Sequence, residues 1–334
     1  MLVSMVMAVH NGEKFLQEAL DHALGQTYSE LEIIIVNDGS TDRTKQILDA
    51  NKDQRVKVIH LEQNGGAANA LNVGIKEANG QWIAIQDADD NSYPTRIEEQ
   101  VKYVQENPQL VAVGTLVKCI SGDAHIPDNE YEDWTNSRNY HKTRKELRKI
   151  AFSGCPFTHS SVMFSKSVFW EVGGYDSSYK IAYDYDLWLK LLEKGELEKV
   201  PKVLLDYRIH QSSLSHKNGY ATIHEIQIVA SKAIFRAKSQ EKRRSPKVIV
   251  VGEQKSCEYY IQNIIPLSGL EVIRIIDQDS SKITSAIKKK RFKKADAIII
   301  LDNTNLKKII RILGINYLKF NKHYYILFNT VDLK

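Results

Sequence analysis

Four groups of polar side chains follow apolar runs and carry atoms that could do chemistry. Asp87-Ala88-Asp89 comes straight after Trp82 to Ile85, and alternate carboxylates on one short turn can aim at a hard divalent cation that also holds a diphosphate. The same run also reads as a solvated acidic turn, with Asp90 capping the next helix. Asp38, in Val36-Asn37-Asp38-Gly39-Ser40-Thr41-Asp42, offers a charged acceptor to two adjacent hydroxyls or an N–H edge, and the helix start beyond it favours an anion. Asp38, Ser40 or Asp42 could equally serve as turn or cap residues. In Tyr183-Asp184-Tyr185-Asp186, ahead of Leu187-Trp188-Leu189, Asp184 is the better general-base candidate and Asp186 a capping or orienting residue; a plain helix start would use both. Arg208 and His210 point the same way from an extended Arg208-Ile209-His210, so both could face a pyrophosphate and His210 could ligate a cation. A buried structural histidine is the alternative there.

These groups need strands to carry them. Leu2 to Val9, Leu31 to Val36, Val56 to Leu61 and Trp82 to Ile85 are strand-length apolar runs. Helical stripes separate them: Phe15 to Leu20, a helix through Ile47, and Ala67 to Glu77 with a break expected at Gly74. The order is repeatedly βα, which puts the polar groups at the carboxyl edge of an α/β sheet. Tyr93-Pro94 opens a helix capped by Asn91 or Ser92, with Ile97, Val101 and Val104 inward until Asn107-Pro108. Val111 to Lys118 follows as a strand. Ser121 to Tyr140 is polar and irregular, Lys142 to Phe152 a charged helix, Ser161 to Phe164 and Val203 to Ile209 further strands, and Asp186 to Leu192 helical.

This ordered series resembles the inverting glycosyltransferases of family 2, with the GT-A fold and nucleotide-diphosphate-sugar donors. The resemblance spans about residues 1–215. Val6-Met7-Ala8-Val9-His10-Asn11-Gly12 is similar to the opening nucleotide strand, Asn37 to Asp42 to the base-binding motif, and Asp87-Ala88-Asp89-Asp90 to the DxD segment. Gly173-Gly174-Tyr175-Asp176 and Tyr183 to Leu189 resemble the acceptor side, and Tyr207 to Ser215 the flexible phosphate-side segment. The resemblance implies a nucleotide-sugar site of Ala8, His10, Asn11, Asp38, Asn64, Gly66, Asn72, Asp87, Ala88, Asp89 and Arg208. It implies Asp184 as catalytic base, and Asp89 with His210 as ligands of Mn2+ or Mg2+. Two positions depart from the family pattern: Tyr183 stands where an acid usually precedes the base, and Leu71 where an arginine is frequent.

The expected fold is therefore α/β, a GT-A-like mixed-sheet nucleotide-sugar transferase domain over 1–218, a helical connector over 219–244 and a smaller Rossmann-like α/β domain over 245–334. Ile223, Ile226, Val229, Ala230 and Ile234 recur at helical intervals in the connector, and Val248 to Val251, Val272 to Ile276, Ala297 to Leu301 and Tyr324 to Phe328 supply the last strands. Gly252-Glu253-Gln254-Lys255 lacks a full GxGxxG, which disfavours a dehydrogenase. Asp277 and Asp302-Asn303 could meet a polar ligand or cap turns. The 334 residues, 43% hydrophobic and with only 17 Gly and 7 Pro, exclude a collagenous or low-complexity chain, and disorder is not the default.

The implied reaction is metal-dependent transfer of a sugar to a hydroxyl of a glycan or glycolipid, in the manner of bacterial surface-polysaccharide synthesis. A non-enzymatic carbohydrate-binding or assembly protein, and a nucleotidyltransferase, are the alternatives. Cys119, Cys155 and Cys257 lie far apart, which fits a reducing, cytoplasmic compartment, and no run reaches the length of a membrane span. The net charge of +5 is too slight to imply nucleic acid. Lys288-Lys289-Lys290-Arg291 with Lys293-Lys294 could instead touch an anionic membrane at its inner face, or form a solvated helix face.

Overall fold

Short, continuous apolar runs form strands covered on both faces, because they leave no polar side for water. A computed structural model describes residues 1–123, 127–211, 219–288, 294–301 and 305–327. The chain divides into two units, Met1–Arg148 with Pro156–Lys217, and Lys149–Cys155 with Asn218–Lys334.

The first unit is built on strands β1 (Val3–Val9), β2 (Leu31–Asp38), β3 (Val56–Leu61), β4 (Trp82–Ile85), β5 (Asn91–Ser92), β6 (Leu110–Ser121), β7 (Met163–Ser165) and β8 (Glu196–Ile209). They form one mixed sheet in the order β3-β2-β1-β4-β7-β6-β8-β5. β3, β2, β1 and β4 are parallel; β7 runs antiparallel to β4 and β6; β6 and β8 are parallel; β5 is antiparallel to β8. Val6 lies beside both Ile34 and Ile85, so the turns after β1, β2 and β4 share one edge. Helices α1 (Leu16–Leu24), α2 (Thr44–Ala50), α3 (Ala67–Glu77), α4 (Arg96–Glu106), α5 (Asp128–Asn139), α6 (Arg144–Ile150), α7 (Lys166–Glu171) and α8 (Tyr183–Leu192) complete it, α6 running to the border of the two units.

Alternation along β1 divides its contacts. Val3, Met5 and Met7 join the core made with Leu16, Ala19 and Leu20 of α1 and Ile97, Val101 and Val104 of α4. Val6 faces α3 instead. The expected break at Gly74 does not occur, and α3 runs unbroken. A Cβ there would lie 2.7 Å from Val6 Cγ1 and 3.1 Å from Val36 Cγ2, so glycine is what lets the helix lie on the sheet.

Two other local expectations give way to packing. Asn91 and Ser92 pair with β8 as a short strand rather than capping α4, whose N-cap position is Thr95. The polar stretch after Ser121 contains α5, because β6 outruns its three-residue neighbour β7. Asn139 exchanges bonds of 2.9 and 2.7 Å with Val117 N–H and C=O, and Thr135 Oγ1 accepts from Cys119 N at 2.9 Å. A polar helix thus supplies side-chain partners that a missing strand would have given.

In the second unit, β9 (Lys247–Gly252), β10 (Glu271–Asp277), β11 (Ala297–Ile300) and β12 (Tyr324–Ile326) are all parallel in the order β10-β9-β11-β12. The direction of winding reverses beside β9, as in doubly wound folds. The helix Gly219–Lys242, expected as a connector, belongs to this unit and buries Ile228, Val229, Ala230, Ala233 and Ile234, with Ser231 Oγ 2.6 Å from Tyr260 Oη. Lys149–Cys155 joins it too, through Asn321 Nδ2 donating to Lys149 O at 2.7 Å and Phe152 edge-on to Tyr325. Asp277 accepts from Asp279 N and Lys282 Nζ, so it caps a turn; Asp302-Asn303, Phe328 and residues 289–293 of the basic run lie outside the described residues. Among the described residues no helix is long and apolar enough to cross a membrane.

Gly74→Val should destabilise the protein by about 2 kcal/mol, overpacking outweighing the few tenths that helix propensity returns. The check is the urea midpoint of the full chain, which should fall.

Candidate active site

The turns after β1 and β2 are latched together. Asn11 sits at φ +52°, a conformation asparagine tolerates, its N–H donates to Ser40 Oγ at 2.9 Å, and its Oδ1 accepts from Thr41 N at 2.8 Å. Gly12 N donates to Thr44 Oγ1 at 2.9 Å. His10 Nδ1 lies 2.8 Å from the Asp38 carbonyl and must donate to it, which leaves Nε2 to accept from Asn11 Nδ2 at 3.2 Å.

Asp38 is 2% exposed, and its two carboxylate oxygens accept from Gly65 N and Gly66 N, each at 2.8 Å. It therefore ties the loop after β3 to the end of β2. Gly39 makes this possible: it has φ +62°, and a Cβ would sit 2.5 Å from Asn64 N. Asn64 Oδ1 accepts from Gly66 N at 3.0 Å. Ala8, His10, Asn11, Asp38, Asn64 and Gly66 are thus brought to one edge. Asn72 is turned to another task, its amide bonding the Tyr175 C=O and N–H at 2.8 and 3.1 Å, and Leu71 beside it is buried.

After β4, carboxylate oxygens of Asp87, Asp89 and Asp90 come within 4.8 Å of one another. Asp90 does not cap α4. It is buried, accepts from Ser160 Oγ, and accepts from Arg208 N at 2.7 Å, joining β4, β7 and β8. Burial, then the charges of Asp89 and Asp87, push its pKa well above the usual carboxylate value. Asp89 bonds His210 Nε2 at 2.7 Å through Oδ2, and Asp87 bonds His159 Nδ1 at 3.2 Å through Oδ1. Their other oxygens have no protein partner among the described residues, and each side chain is 34% exposed. Two free oxygens beside a third carboxylate suit a hard cation.

Cations surround this cluster. Arg208 donates from Nε to Asp89 O at 2.8 Å, pairs with Glu18 at 2.8 Å and lies over the Phe15 ring, against which His210 also packs. Ser212 to Ser215 lie outside the described residues. Arg96 is wholly buried and donates to Ser92 Oγ at 2.7 Å, Ile85 O at 2.7 Å and Gln86 Oε1 at 3.2 Å. Burial holds its pKa down at about 10, although Asp87 and Asp90 favour the charge.

His159 joins the cluster to Tyr175 and the start of α8. Its Nε2 is 3.0 Å from Tyr175 Oη, and its ring meets those of Tyr175 and Tyr183 edge-on at 5.8 and 5.5 Å. Burial opposes charging His159, but Asp87 first and then Asp184 outweigh it and raise its pKa. Asp184 lies in the first turn of α8, with Oδ1 accepting from Tyr185 N. Its charge also reaches Tyr175 and Tyr183, which burial above all pushes well above the usual phenol value. Asp186 is buried in an ion pair with Lys190 at 2.5 Å. Tyr183 thus fills its departed position by packing.

Sequence reasoning missed His159, Ser160, Arg96, Glu18 and Phe15. The one available signal was Arg96, which shares a helical stripe with Ile97, Gln100, Val101 and Val104.

The E. coli O-antigen biosynthesis glycosyltransferase WbnJ is 34% identical over 218 residues, covering 64% of this chain and 81% of that protein. An uncharacterized glycosyltransferase of Rickettsia typhi is 32% identical over 222 residues, and the match spans 66% of its length. The solved structure of S. aureus TarS 1-349 in complex with UDP-GlcNAc superposes with a TM-score of 0.56 at 18% identity, covering 71% of each chain, which shows a shared GT-A fold. The family model for glycosyl transferase family 2 matches residues 4–173, which hold β1 through β7 and all three carboxylates of the cluster, and the chain belongs to that family.

Proposed function

We propose that the first unit transfers a sugar from a nucleotide-diphosphate sugar to a hydroxyl of a glycan or lipid-linked acceptor, with inversion, in surface-polysaccharide synthesis. The observation that carries this reading is the cluster Asp87, Asp89 and Asp90 on the same sheet edge as the latched turns of β1 and β2. The O-antigen role of WbnJ supports the pathway, and the nucleotide sugar bound by TarS supports the donor class.

The base and ribose would lie over Ala8, His10, Asn11 and Asp38, with Asn64 and Gly66 closing the loop side. Asn72 would act by holding Tyr175 in place. Asp89 and His210 would hold Mn2+ or Mg2+, with Asp87 and Ala88 beside the diphosphate. That cation would stabilise negative charge on the departing nucleoside diphosphate. Arg208, anchored by Glu18, adds positive charge on the same side. Asp184 would take the proton of the acceptor hydroxyl as its oxygen attacks the anomeric carbon; the carbon–phosphate-oxygen bond breaks, and one displacement inverts the centre. The His159, Tyr175 and Tyr183 cluster would keep water from this attack position.

A screen of nucleotide sugars with Mn2+ or Mg2+, reading released nucleoside diphosphate, should find one productive donor and lose the signal with a chelator. A donor that binds with no turnover on any glycan acceptor would return the chain to a carbohydrate-binding role. Asp184→Asn should lower kcat by about 100-fold to 10,000-fold while donor Kd stays within about twofold. Turnover at the normal rate in that variant would remove Asp184 as the base. Asp89→Ala should weaken metal-dependent donor binding itself, measured by calorimetry with and without Mn2+.

A further inference from the structure

Charge is divided unevenly between the two units. The first carries 23 Lys and Arg against 31 Asp and Glu, the second 23 against 10, so the whole positive surplus sits on the second. Much of the basic run Lys288 to Lys294 lies outside the described residues. Five described basic residues of this unit lie elsewhere, on the helix Leu306–Ile315 and the turn after it.

That helix buries Ile309 and Leu313, with Leu306, Ile310 and Ile312 packed against the same core. Lys307, Lys308, Arg311 and Ile315 fall on the opposite, exposed side, and Lys319 and Lys322 follow. Residues 305–327 contain no Asp or Glu. None of these five cations makes an ion pair among the described residues. Between them stand two large apolar side chains in water, Ile315 at 67% exposure and Tyr317 at 89%.

Tyr317 is also held in an unusual conformation. Leu318 N donates to Leu313 O and Tyr317 N to Gly314 O, which closes the helix in a Schellman turn with Tyr317 at the position usually given to glycine. Its φ is +61°, which is strained for a bulky side chain, and its phenol ring lies in water. Among the described residues the Tyr317 side chain makes no hydrogen bond and no ring contact.

Beyond the transfer reaction, and independent of it, we propose that this face docks on an anionic lipid surface. Lys307, Lys308, Arg311, Lys319 and Lys322 would meet the headgroups, and Ile315 and Tyr317 would enter the boundary between headgroups and chains. The pairing of unpaired cations with protruding apolar side chains fits a bilayer better than a nucleic acid, which would cover the cations and leave Ile315 and Tyr317 in water. The face is the convex side of a helix, with its apolar residues standing out rather than lining a groove for a peptide.

The test is sedimentation of the full chain with phosphatidylcholine vesicles, with and without phosphatidylglycerol, and without any sugar donor, so that a failure of the catalytic reading does not affect it. Binding should require phosphatidylglycerol, fall as salt is raised, and weaken about fivefold for each charge removed in Lys307→Gln and Arg311→Gln. Tyr317→Gly should raise the thermal midpoint, by relieving the left-handed strain, and still weaken vesicle binding. A purely structural residue would not give that opposition. Equal binding to neutral vesicles, no binding to anionic ones, or variants that bind as the native chain does would overturn the proposal. So would tighter binding of a single-stranded oligonucleotide that Ile315→Ser and Tyr317→Gly leave unchanged.

Discussion

Three carboxylates within 4.8 Å repel one another, and the first unit is arranged so that they stay together. Asp90 bears the largest constraint. Wholly buried, it receives Ser160 from 70 residues away and the Arg208 amide from 118 away, so this one carboxyl ties the ends of β4, β7 and β8 together. Leaving such a group without partners would cost several kcal/mol, more than most single contacts in a core supply. The exposed pair, Asp87 and Asp89, is then held out by His159 and His210, each using one oxygen and leaving one open. The same bonds that relieve repulsion also set the geometry of the site.

What was legible in the sequence follows from range. β1 to β4 and the turns after them are local, each an apolar run ending in residues that prefer turns, and they were readable as such. Asp38 was singled out on the correct edge, yet its bonds to Gly65 and Gly66 depend on a loop across the sheet and could not be inferred from the motif alone. His159 follows no pattern in its own segment, and it matters because folding brings Asp87 to one nitrogen and Tyr175 to the other. α5 was unreadable for a related reason: its side chains answer the unpaired backbone of β6, a demand set by the shortness of β7.

The departures from the family pattern take on physical content here. At position 183 a second acid would stand close to Asp184 and near Asp87, adding repulsion where His159 already balances two charges. Tyr183 replaces that charge with a ring packed on His159 and Tyr175, so the orientation of this wall rests on aromatic contacts and on Asn72 gripping the Tyr175 backbone. At position 71 the buried Leu brings no charge to this edge, where β8 supplies the guanidinium of Arg208, held by Glu18.

The charge distribution sharpens what such a site must do. A unit with eight more acidic than basic residues does not attract anions by its overall field. Local sign has to be reversed at the sheet edge, and the geometry offers the means: Arg96 beneath the carboxylates, His159 with its proton favoured by Asp87, Arg208 held by Glu18, and two open oxygens fit for a divalent cation. The second unit carries the opposite surplus on its own surface. The net charge of +5, uninformative for the whole chain, separates into a sheet edge where a few cations are held in place by named partners and a face where several are simply exposed.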